Sequence, residues 1–183
     1  ARPPTARRTT PPETIAVHLA PYEATSQRDW PPDAPHRFKC LLTASELHLL
    51  KGLGVITGTS NGSYFHGHVG GKVAARPMND VWLGTHRAVN DSGERHPAFH
   101  APGLRLLHYE SHTADEFIRK WSNLTTSGSP VVTRGARTTI ATAVRGLLEL
   151  DLDQSTRHEI LLRLFDRYVK DDVETLDQLG LLV

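Results

Sequence analysis

The stretch Leu104-Arg105-Leu106-Leu107-His108-Tyr109-Glu110-Ser111-His112-Thr113-Ala114-Asp115-Glu116-Phe117-Ile118-Arg119-Lys120-Trp121 decides the fold class. Its first six residues have the apolar content of a buried strand that closes on a histidine. Thr113-Ala114-Asp115-Glu116 then has the capping-box pattern, a hydroxyl at the N-cap and a carboxylate three residues on, so a helix opens there. Phe117, Trp121 and Leu124 recur at helical spacing and give that helix one apolar face. A strand running directly into an amphipathic helix predicts an α/β protein. A polar ring at the carboxyl edge of such a strand lies where open α/β sheets place their ligands, which makes His108 a candidate functional residue. The alternative is a buried histidine satisfied by a backbone carbonyl.

Upstream, residues 14–20 are apolar and predict a short strand. Four prolines between Pro21 and Pro35 surround Trp30 and predict a loop. Thr43-Ala44-Ser45-Glu46 is a second capping box, opening a helix through Leu50 that Gly52 and Gly54 end. Residues 55–71 read as a loop long enough to be functional or disordered. Two short strands are expected at 72–76 and 81–86, then a loop over 91–102. Downstream of a break at 125–130 the periodicity is helical over 136–150, 156–170 and 172–179, with Leu147, Leu150, Leu161, Leu164, Phe165 and Tyr168 expected inside. The layout is a disordered arm or linker (1–13), an α/β segment (14–126) and a helical carboxy-terminal subdomain (127–183).

Composition narrows the partners. Twenty-one Lys and Arg nearly balance twenty Asp and Glu, so no global basic field argues for nucleic acid. The single Cys40 allows no internal disulfide and no cysteine-rich zinc site, in keeping with a reducing cytoplasm. No apolar run approaches the ~20 residues a membrane helix needs, which leaves peripheral association as the only expected contact with a membrane. The proline- and arginine-rich opening has no apolar core and is no signal peptide. Its first residue is Ala1 and the one methionine is Met78, which suggests a processed product or a fragment.

Seven of the eleven histidines lie between His66 and His112. Histidine exchanges protons and binds metals near neutral pH, so the clustering points to chemistry in this quarter of the chain. Within it, Gly70-Gly71-Lys72 is a natural seat for a phosphate or carboxylate, with converging backbone N–H groups beside an ammonium. It is not a Walker loop: His66 stands where a glycine is needed and Val73 where Ser or Thr should follow the lysine. Lys72 and Arg76 lie four apart on a strand and so share a face, a pair suited to a diphosphate or an acidic sugar, or simply two solvated cations. His66-x-His68 and His96-x3-His100 have spacings metals tolerate, yet loop histidines without a carboxylate or thiolate partner are more often plain hydrogen-bonding residues. Asp151-Leu152-Asp153 has the form of a metal-holding carboxylate pair, but its helical surroundings favour capping. There is no Gly-x-Ser-x-Gly, and Cys40 has no local activator.

Three pieces read in order carry a resemblance: Phe65-His66-Gly67-His68-Val69-Gly70-Gly71-Lys72-Val73-Ala74-Ala75-Arg76-Pro77, then Leu83-Gly84-Thr85-His86-Arg87-Ala88, then Leu106 to Trp121. Over about residues 60–125 the chain resembles the carboxy-terminal half of family-2-like bacterial glycosyltransferases. Those have a Gly-Lys-x3-Arg strand, an isolated histidine after a second strand, and a His-Tyr strand-to-helix junction. The resemblance implies a partial GT-A type mixed sheet followed by a helical tail. It also implies a nucleotide-sugar donor, a hydroxyl acceptor and a divalent cation, Mn²⁺ or Mg²⁺. On that pattern His108 completes metal or diphosphate coordination. Lys72 and Arg76, with Gly70 and Gly71, neutralise the leaving diphosphate, and His86 touches donor or acceptor. Glu110 and Asp80 are the candidate bases. The family's nucleotide-binding half would precede this region, and about 70 residues stand before Lys72. The expectation is therefore a carboxy-terminal portion that is inactive without its missing amino-terminal half. A rival reading is a non-catalytic interaction module with the helical tail as its partner surface.

Overall fold

A computed structural model describes residues 16–30, 33, 36–76, 80–84, 86–127 and 136–183. The expected arm at 1–13 lies outside the described residues. The chain divides into two compact units, one of Ala1–Pro21 with Gly70–Leu106, the other of Tyr22–Val69 with Leu107–Val183.

The architecture is α/β, a small sheet followed by carboxy-terminal helices. Strand β1 (Ala16–Ala24) is longer than its sequence signal because it continues past Pro21. Proline lacks the N–H a ladder needs. Here it falls between the residues that pair with β3 (Lys72–Ala75), from Ala16 to Leu19, and those that pair with β2 (Phe38–Lys39), Glu23 and Ala24. Both pairings are antiparallel, and β6 (Ala98–His108) pairs with β1 as well. Strand β6 starts inside the expected 91–102 loop. Its Pro97 and Pro102 hid that start, since proline argues against a strand in any reading by propensity.

In the first unit the expected strand at 81–86 is a hairpin instead: β4 (Trp82–Leu83) pairs with β5 (Ala88–Val89), and the Gly84 N–H donates to the Arg87 carbonyl at 2.8 Å. In the second unit, helix α1 (Ala44–Gly52) opens with the full capping box: the Thr43 N–H donates to Glu46 Oε2 at 2.6 Å and the Glu46 N–H to Thr43 Oγ1. Its Leu47 and Leu50 pack with Tyr64, of the short helix α2 (Asn61–Tyr64), and with Phe65, Leu176 and Leu181. Helix α6 (Val173–Gln178) supplies Leu176.

The larger core joins α3 (Ala114–Thr126), α4 (Ala136–Glu149) and α5 (Gln154–Tyr168). Phe117 and Trp121 of α3, Val144 and Leu147 of α4, and Leu161 and Phe165 of α5 recur at three- and four-residue spacings. Each helix thus turns one apolar stripe onto the other two. Truncating one such aromatic to alanine costs about 3–5 kcal/mol. Helix α3, expected with the α/β segment, shares this core with the tail helices. Of the tail residues expected inside, Leu147, Leu161 and Phe165 are buried, Leu164 and Tyr168 pack partly against the core, and Leu150 is 55% exposed at the end of α4. Asp153 caps α5 by accepting from the Thr156 N–H at 2.9 Å, which accounts for the Asp151-x-Asp153 pair as a helix start. No described helix is long and apolar enough to cross a membrane.

Candidate functional site

The second unit holds a network of buried charges. Glu23, on β1, has a carboxylate with no exposure, and two successive backbone N–H groups converge on it: His66 N to Oε1 at 2.7 Å and Gly67 N to Oε2 at 2.6 Å. Lys39, on β2, is equally buried. Its Nζ lies 3.0 Å from Glu23 Oε1, 3.0 Å from Asp171 Oδ1 and 3.1 Å from the Tyr64 carbonyl. Asp171, just before α6, also accepts from the Ser26 N–H at 2.8 Å and from His66 Nε2 at 3.0 Å.

Burial alone would push the Glu23 carboxyl up. The Lys39 ammonium, with His108 and His66 beside it, outweighs burial and holds Glu23 well below the usual carboxylate range. Asp171 is opposed by burial in the same way, and Lys39 and His66 hold its carboxyl below the ordinary value. Burial likewise works against the charged form of Lys39, yet the two carboxylates raise it. An ammonium saturated by two carboxylates and a carbonyl is the arrangement in which buried charge survives.

His108 closes β6 at the edge of this network. Its Nδ1 lies 3.5 Å from Glu23 Oε2 and its Nε2 lies 3.6 Å from Glu110 Oε2. The Nδ1 atom is buried without a hydrogen-bond partner, so Glu23 acts on it through charge more than through an aligned bond. The side chain is 31% exposed, which leaves the ring accessible. Glu110 is nearly buried and is engaged by Lys120 of α3 and Arg137 of α4, while Arg137 also donates to the His66 carbonyl at 3.4 Å. Gly67 makes room for the imidazole: a Cβ there would lie closer than 3.0 Å to His108 Cε1, His108 Nδ1 and Glu23 Oε2.

The metal expectation for His108 is overturned. Among the described residues no three His, Cys, Asp or Glu side chains gather in a way that could hold a metal ion. The Lys39 ammonium stands between Glu23 and Asp171, where a cation would have to sit, and two cations already occupy Glu110. The donor set therefore does not fit Mn²⁺ or Mg²⁺.

Gly70, Gly71, Lys72, Arg76, Asp80 and His86 fall in the first unit, His108 and Glu110 in the second. Within the first, Gly71 and His86 come together: His86 Nδ1 donates to the Gly71 carbonyl at 2.7 Å, and His18 Nε2 donates to the Gly70 carbonyl at 2.9 Å. The diglycine thus holds two imidazoles through its carbonyls. Gly71 has φ +63°, and a Cβ there would approach the Leu19 carbonyl oxygen closer than 3.0 Å, so both conformation and space demand glycine. Lys72 opens β3, Arg76 follows its end, and Asp80 is exposed in a turn.

The sequence reading passes over Glu23, Lys39, Gly67, Arg137 and Asp171. One signal was present: a lysine in the apolar run Phe38-Lys39-Cys40-Leu41-Leu42 must either snorkel or find buried anions. Comparison of the chain with protein-family models, with curated proteins and with solved structures finds no match.

Proposed function

We propose that the chain takes part in glycosyl transfer from a nucleotide sugar to a hydroxyl acceptor, with His108 as the proton-accepting group. The observation that carries the reading is the accessible His108 ring set between the carboxylates of Glu23 and Glu110, at the strand-to-helix junction that bears the family resemblance. In such a transfer the acceptor oxygen bonds to the anomeric carbon and the bond from that carbon to the diphosphate breaks. The acceptor proton has to go to a base. With its proton on Nδ1, toward Glu23, the His108 ring presents the Nε2 lone pair as acceptor. Glu110 is committed to Lys120 and Arg137, so it serves as a positioning residue and not as the base. On this reading the sheet and helices are the carboxy-terminal portion of a GT-A type fold. The rival reading, a helical partner surface, has less to rest on because α3, α4 and α5 turn their apolar stripes on one another.

The test follows the His108 ring by nuclear magnetic resonance while nucleoside diphosphates and nucleotide sugars are added in the presence of a chelator. The expected result is a ligand-dependent shift of the His108 ring signals, with any turnover lost in His108→Gln and retained in Asp80→Asn. A ring untouched by every nucleotide tried, together with no turnover, would sink the proposal.

A further inference from the structure

The β4–β5 hairpin of the first unit carries a second basic feature. Gly84, His86, Arg87 and Arg95 line a recess of about 370 Å³. The tight turn closed by the Gly84 N–H and the Arg87 carbonyl carries His86 and Arg87, and the antiparallel bridge of Arg95 to Val89 brings the second arginine to the same strand pair. The hydrogen bond from His86 Nδ1 to the Gly71 carbonyl fixes the imidazole in orientation. The acids nearest in sequence are engaged elsewhere. Asp91 accepts from Trp82 Nε1 at 2.6 Å, and Glu94 accepts from Asn90 Nδ2 at 2.9 Å. Each therefore bonds a neutral donor, and the charge of Arg87 and Arg95 is left on the recess. Directly before Gly84, Trp82 and Leu83 are 62% and 58% exposed.

We infer that this recess binds a phosphate group, its oxygens gripped by the Arg87 and Arg95 guanidiniums. Planar guanidinium forks match tetrahedral oxyanions two oxygens at a time, which a single ammonium cannot do. Both arginines are exposed, and among the described residues no ion pair engages either, so an anion from outside can meet both at the recess they line. The phosphate belongs either to a soluble phosphorylated ligand or to a lipid headgroup, where the exposed Trp82 and Leu83 would enter the interface. The recess contains neither His108 nor Glu110, so the inference stands apart from the glycosyl-transfer reading.

The experiment uses the full chain at low ionic strength. Inorganic phosphate is titrated while backbone amide signals are followed, and co-sedimentation is measured with phosphatidylcholine vesicles with and without phosphatidic acid. The test variant is Arg87→Gln with Arg95→Gln. The control removes the same charge from exposed helical positions, Arg145→Gln with Arg167→Gln. Shifts at Gly84, Arg87 and Arg95, weakened at least about tenfold in the test variant and little in the control, are expected. Saturation by free phosphate without vesicle binding assigns a soluble ligand, and vesicle binding that needs phosphatidic acid assigns a headgroup. Absence of both, or an equal loss in the control variant, overturns the inference.

Discussion

Replacing Lys39 by methionine keeps the length of the side chain and removes the one charge that lies between Glu23 and Asp171. The ammonium is fully buried, 3.0 Å from each carboxylate, and those carboxylates are 0% and 7% exposed. Breaking a buried pair from one side leaves uncompensated charge, at a cost of about 3–5 kcal/mol. For a chain of this size that lowers the melting temperature by about 6–20 °C. Denaturant unfolding followed by tryptophan fluorescence measures the deficit. Its pH dependence identifies the cause. In the wild type, Glu23 and Asp171 sit below their unfolded values, so their contribution is present above the carboxylate range and lost as pH falls through the folded values. Lys39 sits above its unfolded value, so its contribution holds until pH rises through the folded value. Glu23, Asp171 and Lys39 therefore add no slope around neutral pH. In Lys39→Met the largest lowering influence is gone, His66 and His108 remain against burial, and both carboxyls rise above their wild-type values. Protonation then relieves the variant, and its deficit shrinks as pH falls from 7 toward 5. A deficit under about 1 kcal/mol, or one independent of pH over that range, would refute the reasoning.

Two glycines should respond differently to alanine. Gly67→Ala has no left-handed backbone to lose, so it should displace the His108 ring by steric contact, cost about 1–3 kcal/mol and shift the imidazole resonances. Gly71→Ala meets both a positive φ and the Leu19 carbonyl, so thermal denaturation should show the larger loss of the two. Asp153→Ala should cost about 1 kcal/mol in urea unfolding because it removes the α5 cap, whereas Asp151→Ala should be nearly silent. Equal effects of the two aspartate changes would argue against capping.

The helices were legible because their signals are local. Thr43 and Thr113 announce helix starts through residues three positions away, and Phe117, Trp121, Val144 and Phe165 mark their faces by spacing alone. Strands β1 and β6 were read short because Pro21, Pro97 and Pro102 count against a strand wherever pairing partners are unknown. The α/β class and the prominence of His108 also came from local pattern. What gives His108 its setting did not. Glu23 lies in a proline-rich stretch, and Asp171 is 132 residues from Lys39. No spacing rule links them, because the link exists only after the chain has folded. Converging backbone N–H groups were expected at Gly70 and Gly71; the pair at His66 and Gly67 holds an anion, and that anion is the chain's own Glu23. A metal was expected at His108, and the carboxylates beside that ring are engaged by Lys39, Lys120 and Arg137 instead.

The reach of Asp171 also orders events in time. Its bonds to Ser26, Lys39 and His66 span 145, 132 and 105 residues, whereas α3, α4 and α5 are neighbours along the chain. Closing long loops is entropically slow, and short-range helix pairs form first. The Asp171 contacts are then expected to form after the transition state, so Asp171→Asn should speed unfolding more than it slows folding. Such late contacts govern how long the folded state lasts, not how fast it is reached. Asp171 is in this sense a latch: the helices can assemble without it, and the lifetime of the assembled unit depends on it.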